Sequence, residues 1–238
     1  MGKDLIQQRR GSGNPVYRSN SFTWAGEIKL PPVTNETITG TVLDIIHSRG
    51  HSAPLMVVSF GDVYSLLPAP LGIKVGDSIL AGENAEFKPG HILPLSKVPE
   101  GSNVYLIEKT FGDGGKFVRA AGTSAKVVTQ GENVTVVQMP SGKLVKFDGR
   151  NRVVFGIIAG GGVKEKPFVK AGNKYHKKRA KHKKYPDVSG VSMNAVDHPF
   201  GGKHSHRKGR PTIAPRNAPP GRKVGMIRPR KTGRGASR

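Results

Sequence analysis

Residues 134–147 read VTVVQMPSGKLVKF, and this stretch decides the fold class. Val134-Thr135-Val136 and Val145-Lys146-Phe147 alternate apolar and polar side chains, which places one set of side chains on each face of a strand. Ser141-Gly142 lies between the two runs, where a hairpin turn needs a flexible backbone. The stretch therefore predicts an antiparallel hairpin of two half-buried strands.

Short runs rich in Val, Ile, Leu and Phe continue on both sides of this hairpin, and Gly-containing turns separate them. The predicted strands are 37–47, 55–60, 63–67, 104–110, 116–121, 126–130, 134–139, 143–147 and 152–157. This pattern is typical of antiparallel barrels or sandwiches, and none of these runs has a helical period. The sequence therefore predicts an all-β fold.

The domain organisation follows from where the apolar runs thin out. Residues 82–94 hold few apolar side chains before a turn at Pro89-Gly90, so a boundary is predicted near residue 85. This gives two small β domains, 36–85 and 86–160, which are small enough to depend on each other or on a partner for stability. Residues 1–35 are predicted to form an extended arm with Trp24, the only Trp, as an aromatic anchor.

Most of the excess positive charge lies in the last third of the chain. The 238 residues include 39 Lys+Arg and 16 Asp+Glu, a net charge of +23, and residues 161–238 alone hold 22 basic and 3 acidic residues. This third contains no Leu, so it cannot bury enough apolar surface to fold alone. We expect an extended basic segment that becomes ordered against a partner, and a polyanion is the simplest such partner.

Composition also excludes several classes of protein. The chain has no Cys, which removes disulfide scaffolds and Cys-ligated metal centres. The longest apolar run, 153–163, is about half of a bilayer span, so no membrane partner is expected. The chain does not open on a charged and then apolar leader, so export is not expected.

The densest cationic run is 173–184, NKYHKKRAKHKK. Asn173 is the predicted N-cap of a helix that ends before Pro186. In a helix, four cations would share one face and repel each other until phosphates neutralise them: Lys174, Lys177, Lys178 and Lys181. The run predicts contact with nucleic acid; the alternatives are a solvated surface helix or a targeting signal.

Residues 196–206, VDHPFGGKHSH, allow three interpretations. A metal site would use four ligands, Asp197, His198, His204 and His206. A catalytic acid–base group would be His198, positioned by Asp197. The interpretation favoured here is a loop that threads between phosphates, because Gly201 and Gly202 permit close backbone approach and Phe200 can stack.

Three further stretches carry weaker signals. Residues 216–225, RNAPPGRKVG, combine cations with prolines that restrict the backbone before binding, or else form a low-complexity tail. Residues 112–116, GDGGK, predict a hairpin turn, with a phosphate cradle as the alternative. Residues 160–162, GGG, are a flexible linker or a point of backbone approach to RNA.

Several of these motifs together resemble the ribosomal protein L-two family, the universal second protein of the large ribosomal subunit. The stretches that carry the resemblance are 160–174 (GGGVKEKPFVKAGNK), 193–202 (MNAVDHPFGG), 216–225 (RNAPPGRKVG), 9–17, 91–95 (HILPL) and 112–116. The archaeal and eukaryotic branch is the most similar, and the resemblance covers essentially the whole chain.

The resemblance implies an OB-like barrel at 36–85, an SH3-like barrel at 86–160, and basic N- and C-terminal segments that penetrate large-subunit rRNA. Implied partners are that rRNA, neighbouring ribosomal proteins and, at an intersubunit bridge, the small subunit, all in the cytoplasm. It also implies roles in subunit association, tRNA placement and the peptidyl-transferase centre. The alternative function is that of a sequence-tolerant DNA-architectural protein, which shares the charge but not the motifs.

No catalytic residue is assigned, because the resemblance implies that RNA carries out peptidyl transfer and that His198, positioned by Asp197, only supports it. The chain is not expected to be an enzyme or to need a cofactor or metal. The predicted rRNA-binding residues are Arg9, Arg10, Arg18, Lys170, Lys174, His176, Lys177, Lys178, Arg179, Lys181, Lys183, Lys184, Asn194, His198, Phe200, Gly201, Gly202, Lys203, His204, His206, Arg207, Arg216, Arg222 and Lys223.

Overall fold

The computed structural model describes residues 5–18, 24–34, 36–131, 133–163, 165–202, 211–227 and 229. The chain forms two compact units. One spans residues 20–168 and is called the β unit; the other combines residues 1–19 with 169–238 and is called the basic unit. The structure is 28% strand and 11% helix, so the all-β prediction is confirmed. Among the described residues, no helix has the length and apolar character to span a bilayer.

In the described part of the β unit, ten strands form one sheet. They are β1 (Ile38–Ile46), β2 (Leu55–Phe60), β3 (Val63–Pro68), β4 (Ser78–Ala81), β5 (Ile92–Pro94), β6 (Asn103–Tyr105), β7 (Ala125–Gln130), β8 (Val134–Gln138), β9 (Leu144–Asp148) and β10 (Arg152–Phe155). Their order in the sheet is β3-β2-β1-β4-β5-β10-β6-β7-β8-β9. Neighbouring strands are antiparallel except β4 and β5, which are joined by the single pair Ala81 and Ile92.

The sheet encloses two hydrophobic clusters that share a wall. The first includes buried residues of β1–β4, and the second includes buried residues of β7–β9. On β5, Ile92 belongs to the first cluster and its neighbour Leu93 to the second. Because side chains alternate between the faces of a strand, one short strand serves both clusters. The clusters fit two barrel-like domains, and the predicted boundary near residue 85 stays a prediction.

Two predicted strands are corrected by the structure. Residues 116–121 form no strand and contribute only the bridge between Phe117 and Ile107, and the strand predicted at 104–110 ends at Tyr105. Leu106 and Val118 have φ angles of 50° and 53°, in the left-handed region. A strand needs φ near −120°, so the ladder stops at these residues. Strands β4 and β5 were not predicted, because each is too short to show alternation.

The described residues of the basic unit form two α-helices, α1 (Ile6–Gly11) and α2 (Ala171–Arg179). Residues 6–11 are therefore not extended, unlike the arm predicted from the sequence. Helix α2 overlaps the first part of the predicted cationic run, 173–184, but it begins before the run. Its N-cap is Lys170, so the prediction of Asn173 as N-cap is wrong. None of its residues is buried, which is why apolar periodicity could not predict its bounds.

Candidate nucleic-acid interface

Helix α2 presents a dense array of cations. Lys174, Lys177 and Lys178 fall at helical spacing, and Lys181 follows just beyond the last turn. Burial, then the nearby positive charges of Lys177 and Lys183, lower the pKa of Lys181 below its usual value. The free protein therefore holds cations that disfavour one another. A polyanion bound here would relieve this repulsion.

Aromatic rings hold some of these cations in place. The Nζ atom of Lys174 lies 5.3 Å from the centroid of the Tyr185 ring, and the guanidinium carbon of Arg10 lies 6.0 Å from that of Tyr17. Both distances are within the range of a cation–π contact. Nδ1 of His182 lies 2.8 Å from the carbonyl oxygen of Pro15, which links the end of the cationic run to the N-terminal segment.

The predicted cations differ in how far they are exposed. Lys174, Lys178 and Lys181 are half-buried along α2 and just beyond it. The other predicted rRNA-binding cations in residues 9–18 and 170–184 are exposed: Arg9, Arg10, Arg18, Lys170, His176, Lys177, Arg179, Lys183 and Lys184. Tyr17 and Tyr185, which lie under the charges of Arg10 and Lys174, were not among the predicted site residues. Their only signal in the sequence is an aromatic residue close to a basic cluster.

The stretch 193–202 folds into a tight turn around His198. The amides of Asp197 and His198 donate to the carbonyl oxygen of Asn194 at 2.9 and 3.2 Å, and the amide of Gly201 donates to that of His198 at 2.8 Å. The amide of Phe200 donates to Nδ1 of His198 at 3.0 Å. This contact fits the imidazole tautomer that carries its proton on Nε2, because Nδ1 then has a lone pair to accept the amide.

Close packing explains two glycines beside this turn. A Cβ at Gly190 would collide with the ring of His198, and a Cβ at Gly201 would collide with the carbonyl oxygen of Asn194. The imidazole also contacts the buried ring of Phe200, with centroids 5.2 Å apart. His198 is thus fixed by packing and by the Phe200 amide. That Asp197 positions it stays a prediction.

The structure brings the turn at 193–202 together with the proline-rich stretch 216–225. Residues 213 and 226 form a parallel bridge, closed by hydrogen bonds from the Ala214 and Met226 amides. Gly225 has a φ of 84°, and a Cβ there would lie 3.2 Å from Cζ of Phe200. Phe200 therefore packs against the second motif. Arg216 and Arg222 are exposed beside it, and Lys223 is half-buried.

Four predicted site residues lie outside the described residues: Lys203, His204, His206 and Arg207. The described residues contain no group of three His, Asp or Glu that could hold a metal ion. Asn194 and Gly202 are exposed at the two ends of the turn around His198, and Gly201 is half-buried within it.

The loop 112–116 is a turn and not a phosphate cradle. The carboxylate of Asp113 accepts the amides of Lys109 at 2.9 Å, Thr110 at 3.3 Å and Gly115 at 2.9 Å. The carboxylate of Glu108 accepts the amide of Gly114 at 3.1 Å. The amides that would bind a phosphate are already occupied by carboxylates, so the structure favours the turn that the sequence predicted.

An all-β core joined to a separate unit dense in cations places the chain in the class of basic proteins with a folded anchor and a charged extension. The family model described as "Ribosomal Proteins L2, C-terminal domain" matches residues 88–221. The chain belongs to the ribosomal protein L2 family, as the resemblance in its motifs predicted.

Curated relatives extend the match to the whole chain. The Large ribosomal subunit protein uL2 of Halorubrum lacusprofundi is 50% identical over 242 residues, 100% of both chains. Those of Methanosphaera stadtmanae (50% over 239 residues, 98% of this chain and 99% of the relative) and Haloarcula marismortui (47% over 239 residues, 100% of both) are similar. The archaeal-type branch is thereby confirmed. The relatives are ribosomal proteins and not enzymes, which also confirms that prediction.

Proposed function

We propose that this chain, as a structural constituent of the large ribosomal subunit, binds large-subunit rRNA near the peptidyl-transferase centre. It acts in the cytoplasm and supports subunit association, tRNA placement and peptide-bond formation. The basic unit makes the deepest RNA contacts. The β unit, an OB-like barrel (36–85) followed by an SH3-like barrel (86–160), docks on the rRNA in contact with neighbouring ribosomal proteins.

The observation that carries this proposal is the cationic array of 170–184. It holds eight Lys and Arg and no acidic residue, and none of the side chains of α2 is buried. A solvated protein surface normally mixes charges of both signs. An array of one sign, with Lys174 held over the ring of Tyr185, suits the phosphate backbone of a folded RNA.

His198 has a positioning role in this proposal. Its imidazole is held by the Phe200 amide at Nδ1, and Nε2 can donate to a phosphate, a base or a 2′-hydroxyl. Contact with the small subunit at an intersubunit bridge belongs to the same proposal, and membership of the ribosomal protein L2 family supports this contact.

The salt dependence of RNA binding tests the proposal. If about ten phosphates are neutralised, log K for a large-subunit rRNA fragment falls with log salt at a slope of roughly −7 to −9. A slope shallower than about −3 would contradict extensive phosphate contact.

A competition between that rRNA fragment and duplex DNA of equal length separates the two candidate functions. Preference for the rRNA supports the ribosomal role, whereas equal affinity would favour a DNA-architectural protein. The observation against the latter is the ribosomal family membership over the full chain.

A further inference from the structure

A small apolar pocket lies in the basic unit beside the His198 turn. Its volume is about 190 Å³, and two stretches of chain line it: 199–200 and 211–224. Ligand pockets for drug-sized molecules measure roughly 300–1,000 Å³, so this pocket has room only for a single planar ring system. Its lining residues are Pro199, Phe200, Pro211, Ile213, Ala214, Pro215, Arg222 and Val224.

The walls of the pocket are preformed. Three prolines fix the backbone around it, and the buried ring of Phe200 is wedged between the imidazole of His198 and Gly225. A rigid apolar slot loses little conformational entropy when a flat ring enters. This shape suits stacking better than it suits a flexible aliphatic chain.

The charge around the pocket selects an anionic ligand. Arg222 is part of the lining and is exposed, and Lys223 follows it in the chain. Residues 198–238 contain no Asp or Glu. A nucleotide combines the two required features, because its base is flat and weakly polar and its phosphate can pair with a guanidinium.

We propose that this pocket binds one unstacked nucleobase of the rRNA, with Arg222 paired to a phosphate of the same nucleotide. This inference rests on the proposed function, and it adds a pocket for base recognition to a unit whose cationic array suits the phosphate backbone. RNA-binding proteins commonly take up single unpaired bases in this way.

Filling the pocket tests the inference in the full-length chain. Ala214→Phe places a ring inside the slot, and Val188→Phe, at an exposed position outside the pocket, is the matched control. A stacked base contributes about 1–3 kcal/mol, so the Kd for a large-subunit rRNA transcript should rise about 5- to 150-fold with Ala214→Phe and stay unchanged with Val188→Phe.

Chemical probing of the bound transcript identifies the base. One nucleotide should be protected by the wild-type protein and by Val188→Phe, and should become reactive with Ala214→Phe while the other protections remain.

If both variants give the wild-type Kd and the same protections, the pocket inference is overturned while the proposed function stands. If the wild-type protein shows neither protections nor a steep salt slope, the proposed function fails, and the inference fails with it. Arg222→Gln tests the pairing of Arg222 with a phosphate. If this variant binds the transcript with the wild-type Kd and still protects the nucleotide that Ala214→Phe leaves reactive, that pairing is overturned.

Discussion

Arg152→Met removes the positive half of a buried ion pair in the β unit. Nη2 and Nε of Arg152 lie 2.7 and 3.2 Å from Oε1 of Glu108, whose side chain is fully buried. The amides of Gly114 and Arg152 donate to the same carboxylate, and Nη1 of Arg152 donates to the carbonyl oxygen of Pro31 at 2.8 Å. One guanidinium therefore joins three separate stretches of the chain.

The loss should be large because the carboxylate stays buried without its counter-ion. Removing one partner of a buried pair costs about 3–5 kcal/mol. Arg150→Met is the matched control: Arg150 pairs with Asp148 at 3.0 Å on the surface, where ion pairs are screened by water. We expect no measurable change in stability from that control.

Urea unfolding of the full-length chain, followed by far-UV circular dichroism, measures the difference. With a slope of about 2 kcal/mol per molar urea, Arg152→Met should lower the midpoint by about 1.5–2.5 M. Adding Glu108→Gln removes the unpaired charge and keeps an oxygen acceptor, so part of the loss should be recovered. If Arg152→Met unfolds at the same urea concentration as Arg150→Met, the assigned role of the ion pair is wrong.

Two further predictions concern the basic unit. Gly190→Ala should displace the His198 ring and, like His198→Ala, impair peptide-bond formation by reconstituted subunits about tenfold or more, with the β-sheet dichroism unchanged. Gly172→Ala, which has open space around it and is not among the predicted rRNA-binding residues, should be neutral, and equal activity of all three variants would contradict this. The pKa of Lys181 should rise in a Lys177→Gln variant and on rRNA binding, because each change removes or neutralises a positive charge near it. NMR titration of the lysine ammonium groups measures this, and an unchanged pKa in both cases would show that the Lys177 charge does not act on Lys181.

Much of the β unit could be predicted from local pattern. Strand β2 has the predicted bounds, β7 and β8 differ from prediction by one residue at one end, and β9 is shifted by one residue at both ends. Alternation over five or six residues is a local property, so these strands are visible in the sequence. The strand at 116–121 was wrongly predicted because the left-handed backbone at Val118 depends on its pairing with Leu106, 12 positions away.

The candidate site divides in the same way. The cationic run, the turn at 193–202 and the proline-rich stretch were all identified from residue type and spacing. Their contacts were not, because the packing of Phe200 against Gly225 joins residues far apart in the chain. The cation–π contacts of Tyr17 with Arg10 and of Tyr185 with Lys174 were also not predicted, because residue type and spacing do not show which cation lies over which ring.

The sequence by itself determined the all-β class, the confinement of the charge to residues 161–238, and the family. These depend on composition and on short motifs, which need no knowledge of folding. The tertiary structure alone decided that one wall of strands serves two clusters, that Arg152 neutralises a buried carboxylate, and that two basic motifs meet at Phe200. These features depend on contacts across long sequence separations, and only the folded topology brings such residues together.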